Sequence, residues 1–378
     1  MRIAFVEAAP DLGGSQLSTL DLVHQLNHEQ DLDIYLVVQA GTAIWHEARL
    51  RGLSDNIIEL PGGPFLGWRR VLWLLKYQWR VWQVLNRYKI HIVHATNHTL
   101  QLWLLPCIFS QSKVVWNVRA QVDNTRRGRL RRDLYLRFCH GVIFVSKGVR
   151  PGVLSGGIRS NCKVAVIPNF VQDKFHQISR HAVFRVALNE SRLVIGFIGR
   201  LNDPVKDVRR AVHIAVKALQ LLPNCLKFRF CGDVSDLVLD SLLSIIPQEL
   251  RADIEFLGQT QNPFEFYQTI DIILLTSRAE GFPRVLLESA ACCVPSVAHD
   301  VGGVSEVVHD GVSGYLFHND SQAVSAIQRL ADDHELRTSM GHRAARFVGE
   351  SYSIEQVIPK YLLFYKRLLK LCDSEVLC

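Results

Sequence analysis

The chain has 378 residues, 48% hydrophobic and 21% charged, which is too long for one ordinary core and too apolar for a disordered polymer. A net charge of +7 favours a polyanionic partner (phosphate groups, an anionic membrane surface or nucleic acid), and no aromatic–basic RNA motif or zinc-finger spacing supports nucleic acid. Nine scattered cysteines, with only Cys292-Cys293 adjacent, read as reduced cytosolic thiols, and no run of about 18 apolar residues spans a bilayer.

The first expected element is a strand over 2–8, whose sequence MRIAFVEAAP lacks the pattern of a signal peptide. APDLGGSQLSTLDLVHQL then reads as a glycine turn opening a helix, with Gly13 and Gly14 offering bare backbone and Ser15 placed to cap. A strand over 31–38 follows. Its Asp31-Leu32-Asp33 imitates a metal-binding Asp-x-Asp, but ligands gather at the carboxyl ends of strands, so these acids read as solvated.

Residues 64–88 read as a helix with Trp68, Leu72, Leu75, Trp79 and Trp82 on one stripe and Arg69, Lys76, Arg80, Gln83 and Arg87 on another. Two readings stay open: a helix packed on the sheet, or one resting on a membrane surface. A strand over 90–95 ends in His94, with His98 just beyond, and a strand over 114–118 ends before Arg119. TRRGRLRRDLYLRF then carries six arginines between Arg126 and Arg137 against Asp133, a solvated helix face or a site for anionic head groups. A strand is expected over 142–146, and the irregular stretch 173–190 reads as a linker.

The second half opens on an apolar strand, 193–198, followed by GRLNDPVKD with Gly199, Arg200 and Lys206. Strands are expected over 228–233, 254–258 and 272–276. The last runs into SRAEGFPRVLLESAACCVPSVAHDVGGVSEVVHDGVSGYLF, which turns at Glu280-Gly281-Phe282-Pro283 and enters a helix with Pro283 at its first position. Unpaired amides at such a helix start cradle phosphate, and Gly281 lets the backbone come close. Glu280 lies in the turn and Glu288 in the second helical turn; a carboxylate accepts two hydrogen bonds from a vicinal diol, so one acid suits a ribose and the other a sugar hydroxyl. Helices over 332–350 and 353–371 close the chain.

EGFPRVLLE, with Glu280 and Glu288 at its ends, resembles the donor-site signature of the retaining glycosyltransferases of family four, the glycosyl transferases group 1. VPSVAHDVGGVSEVVHDGVSGYLF resembles that family's next strand, glycine turn and helix, GRLNDPVKD its second signature, and IPNFVQDKF (167–175) the last strand of its N-terminal domain and its exit. The resemblance implies the α/β GT-B fold: two Rossmann-like domains with parallel sheets facing a central cleft. The expected domains are 1–172 on the acceptor side, a linker over 173–190, a donor domain over 191–350, and 351–378 crossing back to the first.

The reaction implied is transfer of a sugar from a nucleoside diphosphate sugar to an acceptor hydroxyl with retained configuration, in cell-surface polysaccharide or lipid-linked glycan synthesis. By resemblance, Arg200 and Lys206 hold the diphosphate beside Gly199, and amides around Phe282 and Val285 add a helix-end dipole. Glu280 then orients the sugar ring, Glu288 the ribose, and Gly13 and Gly14 contact the donor. The family often carries two histidines two residues apart; here Thr96 takes the second place, leaving the sugar contact open between His94 and His98. Arg119 stands where many relatives have a histidine and is an acceptor or phosphate contact. The implied cofactor list is empty and no metal is expected; the partners are the nucleoside diphosphate sugar, a glycan or lipid-linked acceptor and an anionic membrane surface, placing the chain in the cytoplasm or on the inner face of the cell membrane. A nucleotide-sugar epimerase and a non-catalytic sugar- or lipid-binding module are the alternatives, and Arg200, Lys206, Glu280 and Glu288 together favour a working transferase.

Overall fold

The computed structural model describes residues 1–7, 12–60, 69–96, 103–120, 125–154, 161–172, 175, 192–260 and 262–371, with backbone alone at 69–74 and 127. The expected linker over 173–190 apart from Phe175, together with Trp68 and His98, lies outside the described residues, as do the side chains of Arg69, Leu72 and Arg127. Two compact units emerge: Met1–Asn169 together with the chain from Val357 onward, and Phe170–Gln356.

In the first unit the described residues form a seven-stranded parallel sheet in the order β3-β2-β1-β4-β5-β6-β7. The strands are β1 (Arg2–Val6), β2 (Asp33–Gln39), β3 (Ile57–Leu60), β4 (Ile92–Thr96), β5 (Lys113–Val118), β6 (Gly141–Phe144) and β7 (Lys163–Val166). The central strands are buried on both faces, since helices cover both. The helices are α1 (Gly14–Leu26), α2 (Ala43–Leu50), α3 (Arg69–Arg87), α4 (Leu104–Ser110), α5 (Arg126–Phe138) and α6 (Arg150–Leu154). One core joins Val93, Trp116 and Phe144 of the sheet to Val81 of α3, Cys107 of α4 and Leu136 of α5, so these three helices share a face. The connections to β2 and β3 run the other way along the sheet, and right-handed crossover puts α1 and α2 on the opposite face.

Several expectations change here. Gly13, not Ser15, caps α1: Gly13 is extended, and its N–H donates to Gln16 Oε1 at 3.1 Å. Of IPNFVQDKF, residues 167–172 are the exit of the edge strand β7 and not part of it; β7 precedes them and is only half covered, which hides its pattern. The short β3, α2 and α4 had no reading of their own. On α3 it is Tyr77, Val81 and Leu85 that face the core, while Trp79 and Trp82 are exposed.

The second unit holds a six-stranded parallel sheet, in the order β10-β9-β8-β11-β12-β13. Its strands are β8 (Leu193–Ile198), β9 (Leu226–Cys231), β10 (Ile254–Gly258), β11 (Ile272–Leu275), β12 (Ser296–His299) and β13 (Gly314–Phe317). Its helices are α7 (Val208–Leu221), α8 (Asp236–Leu243), α9 (Pro263–Gln268), α10 (Arg284–Ala291), α11 (Asp320–Asp332) and α12 (His334–Tyr352). The polar stretch expected as one helix from 332 divides at Asp333, whose carboxylate accepts from Leu336 N–H at 2.8 Å and caps α12. The last helix, α13 (Ile354–Leu368), buries Tyr361, Phe364 and Tyr365 in the first unit.

Helix α12 seats on the turn after α10 through Gly341, where an added Cβ would lie 2.0 Å from the Cys293 carbonyl oxygen. Alanine for glycine inside an open helix should stabilise by about 1 kcal/mol. Here the overlap is with backbone, so Gly341→Ala should destabilise by about 1–3 kcal/mol in urea unfolding. A gain in stability would show that α12 does not rest on that turn.

Candidate active site

Strand order in the second sheet reverses between β8 and β11, and open α/β sheets hold ligands at the carboxyl ends of strands at such a switch. Both sequence signatures meet there. β8 ends at Ile198 and feeds Gly199 and Arg200; β11 ends at Leu275 and feeds the turn with Glu280. The two loops are joined by Lys206 Nζ, which donates to Glu280 Oε1 at 2.7 Å. That pair is largely shielded, with side chains 23% and 10% exposed.

Other contacts fasten the same loops. Thr276 Oγ1 donates to the carbonyls of Lys206 at 3.0 Å and Asp207 at 3.1 Å. The Arg278 N–H donates to Val205 O at 2.8 Å, and its guanidinium pairs with Asp207 at 2.8 Å. Arg200 Nη2 pairs with Asp203 at 2.7 Å while remaining 56% exposed. In these three ion pairs each cation faces a carboxylate, so the formal charge of the cluster cancels. Arg200 can leave Asp203 at little cost, since exposed pairs contribute about 0–1 kcal/mol. The shielded Lys206–Glu280 pair is the fixed point of the arrangement.

Two glycines let the loops come this close. Gly232, after β9, has φ +153, and a Cβ there would lie 1.7 Å from Gly199 O. Gly302 has φ +57, and its Cβ would lie 1.8 Å from Glu280 O. Neither was singled out from sequence, although both follow strands closely, where glycine often marks a tight approach.

Helix α10 begins one residue later than expected. Pro283 is its extended N-cap rather than its first helical residue, with φ −73 and ψ 111. Gly281, Phe282 and Pro283 are buried and Val285 is half-buried. The Phe282 ring packs edge-on against Tyr352 at 5.1 Å, anchoring the turn on α12. Glu288 sits on other partners: Arg284 Nη2 reaches its Oε1 at 3.0 Å, and Tyr267 Oη donates to Oε2 at 3.0 Å. Burial, then the Glu288 charge, hold the Tyr267 pKa well above that of an ordinary phenol, so Tyr267 stays a donor. A carboxylate has about four acceptor positions; Arg284 takes two at Oε1 and Tyr267 one at Oε2, which leaves Glu288 one for a ligand hydroxyl. The i,i+4 spacing of Arg284 and Glu288 was readable in the sequence; Tyr267 carried no such signal.

The remaining expected residues belong to the first unit. Gly13 is buried and Gly14 exposed at the start of α1. Arg119 Nη1 donates to Ser15 O and Asn169 Oδ1, both at 3.4 Å. His94 requires a correction. It lies inside β4 rather than at its end and is 1% exposed. Asn117 Nδ2 lies 2.8 Å from Nε2, so Nδ1 carries the proton toward Tyr365 Oη at 2.7 Å. Its ring stacks on Phe5 at 4.7 Å. Both nitrogens are engaged internally, and the ring is a buried latch for α13. Burial, reinforced by Arg119, holds its pKa well below the ordinary 6.5. Among the described residues, no group of three or more His, Cys, Asp or Glu is arranged to hold a metal ion.

Comparison with known proteins follows the same division. The family model described as Glycosyltransferase Family 4 matches residues 12–175, and that described as Glycosyl transferases group 1 matches residues 192–333. The chain is 29% identical over 219 residues to the N-acetyl-alpha-D-glucosaminyl L-malate synthase of Bacillus anthracis, covering 56% of each protein. It is 24% identical over 247 residues to the capsular polysaccharide biosynthesis glycosyltransferase CapM of Staphylococcus aureus, covering 61% of this chain and 62% of that one. The chain thus spans about half to three-fifths of the length of the curated relatives it matches. Anabaena Alr3699/HepE, solved in complex with UDP and glucose, shares the fold at a TM-score of 0.80 and 20% identity, over 97% of this chain and 100% of that one. The sucrose-phosphate synthase of Thermosynechococcus elongatus does so at 0.77 and 15%, over 98% and 100%.

The depressed pKa of His94 has a consequence for stability. Below pH 6.5 the unfolded chain gains a proton at this position that the folded chain refuses. Stability from this group is therefore full above pH 6.5 and is lost as pH falls, by up to about 1.4 kcal/mol per pH unit. Urea unfolding between neutral and mildly acidic pH should show a shallower dependence in His94→Gln than in the wild type. Equal slopes would mean that His94 titrates normally in the folded chain.

Proposed function

This chain belongs to the family-four, group 1 glycosyltransferases of the GT-B fold, and from that premise we propose that it moves a sugar from a nucleoside diphosphate sugar to an acceptor hydroxyl with retained anomeric configuration. The observation that carries the reading is the Lys206–Glu280 pair, set beside Arg200 where the second sheet reverses its order. A solved relative of the same fold that holds UDP and glucose supports a nucleoside diphosphate hexose as the donor class. The capsular polysaccharide transferase among the relatives supports a glycan acceptor; we infer that this acceptor is lipid-linked, which gives the chain a peripheral place on the inner face of the cell membrane.

The residues divide the work as follows. Arg200 exchanges Asp203 for a phosphate oxygen. Lys206 has three donors, so one stays on Glu280 Oε1 while another meets the diphosphate. The two cations then stabilise charge as the bond from the sugar C1 to the phosphate oxygen breaks. Glu280 Oε2 orients the sugar hydroxyls, and Glu288, held by Tyr267 and Arg284, takes the ribose. The acceptor oxygen attacks C1 from the side the diphosphate leaves, and its proton passes to the departing phosphate. No metal is assigned a part in this scheme.

Transfer assays on the purified protein test the scheme, with NMR of the product linkage reading the configuration. Arg200→Ala and Lys206→Ala should each lower kcat/KM by about 2–4 kcal/mol of transition-state stabilisation. Near wild-type rates in both would remove the diphosphate role. A separate expectation is that transfer persists in excess chelator. A loss restored by manganese or magnesium would assign the charge neutralisation to a bound ion instead.

A further inference from the structure

At about 100° per residue, α3 presents three faces. Tyr77, Val81 and Leu85 face the core, and Leu75, Trp79 and Trp82 form an exposed apolar stripe. Lys76, Arg80 and Arg87 form an exposed basic stripe beside it. Helix α4 packs against α3 and turns Leu105, Ile108 and Phe109 outward. The two apolar sets are one surface: Trp79, Trp82, Leu105 and Phe109 line a shared groove of about 610 Å³. Trp79 is 58% and Phe109 72% exposed, so the groove is open rather than a sealed core. Trp82 also lines a second cavity, of about 880 Å³, with Arg80 and Arg87, so apolar surface and cations meet at one residue. On the same side of the sheet, α5 adds exposed Leu130 and Leu134 among Arg129, Arg131 and Arg137.

Contiguous apolar surface of this kind marks a docking site, and its charge selects the occupant. Helix α3 carries Arg69, Arg70, Lys76, Arg80 and Arg87 with no carboxylate, and α4 carries no charge. A second copy of the same face would set cation against cation. An anionic lipid surface satisfies both stripes at once, since head groups meet the cations while aromatic side chains enter the acyl boundary. We propose that the outer face of α3 and α4 docks on an anionic bilayer, with Trp79, Trp82, Leu105 and Phe109 inserted and Lys76, Arg80 and Arg87 on lipid phosphates. This deepens the membrane placement above and stands apart from the donor site. It also narrows the basic segment expected on α5. Arg132 is buried, with Nε on Asp133 at 3.1 Å and Nη1 on Gly152 O at 3.1 Å, and is not a lipid contact.

The test is flotation of the full chain with phosphatidylcholine vesicles, with and without phosphatidylglycerol. Wild type should float with anionic vesicles alone and less so as salt rises. Arg80→Gln with Arg87→Gln should weaken partitioning on the order of 25-fold, about fivefold per cation. Trp79→Gln with Phe109→Gln should weaken it on the order of tenfold or more. All four positions are exposed, so melting temperatures should hold. Nucleoside diphosphate titration in parallel reports the donor site alone, so failure of one reading does not imitate failure of the other. Wild type left in the soluble fraction with anionic vesicles at low salt overturns the proposal. So does unchanged flotation of both double variants, or a lipid-free dimer in sedimentation that Trp79→Gln dissolves.

Discussion

The Lys206–Glu280 contact is the constraint on which the second unit depends. It joins two loops that leave neighbouring parallel strands at their carboxyl ends, at the one place where the sheet order reverses. The ion pair ties the loops together with the Thr276 and Arg278 contacts, and Gly232 and Gly302 remove side-chain bulk that would keep the loops apart. A shielded pair loses solvation as well as gaining attraction, so its worth lies less in net stability than in holding the carboxylate and ammonium in one geometry. That geometry is what a group-transfer site needs ready before its substrate arrives.

Charge in this cluster is balanced, and the balance has a physical use. Unpaired arginines and lysines at a loop cluster would repel one another and loosen it. Pairing Arg200, Lys206 and Arg278 with Asp203, Glu280 and Asp207 keeps the loops compact without ligand. Exposure then separates the cations. Arg200 and Arg278 face solvent and can exchange partners, whereas Lys206 is screened and stays in place.

The first unit uses its two sheet faces differently. On one face a neutral histidine, an asparagine and the tyrosines of α13 form a polar network inside an apolar layer. Both ring nitrogens of the histidine are engaged, which is the condition for burying it neutral. On the other face α3, α4 and α5 cover the core with one stripe each and leave a second apolar stripe uncovered. The same helical period therefore serves two purposes: one side builds the unit, and the other is available to a partner.

Local pattern carried much of this. A continuous apolar run delimited β8 at 193–198, and the strand expected over 254–258 is β10 as it stands in the structure. The strand-turn-helix around Glu280 was readable because its residues lie close along the chain. Other features were beyond reach. β3 has four residues, too few for a period to show. The pairing of Lys206 with Glu280 spans 74 positions, and that of His94 with Tyr365 spans 271. A histidine near a strand end reads the same whether it faces a ligand or a distant helix, so only the return of α13 shows its partner. The tryptophan stripe of α3 was visible from spacing, but spacing cannot say which stripe meets the core. The sequence by itself determined the succession of strands and helices and the chemistry at their ends, because those depend on neighbours along the chain. The tertiary structure decided which side chains pair and which face is buried, because those depend on residues that only folding brings together.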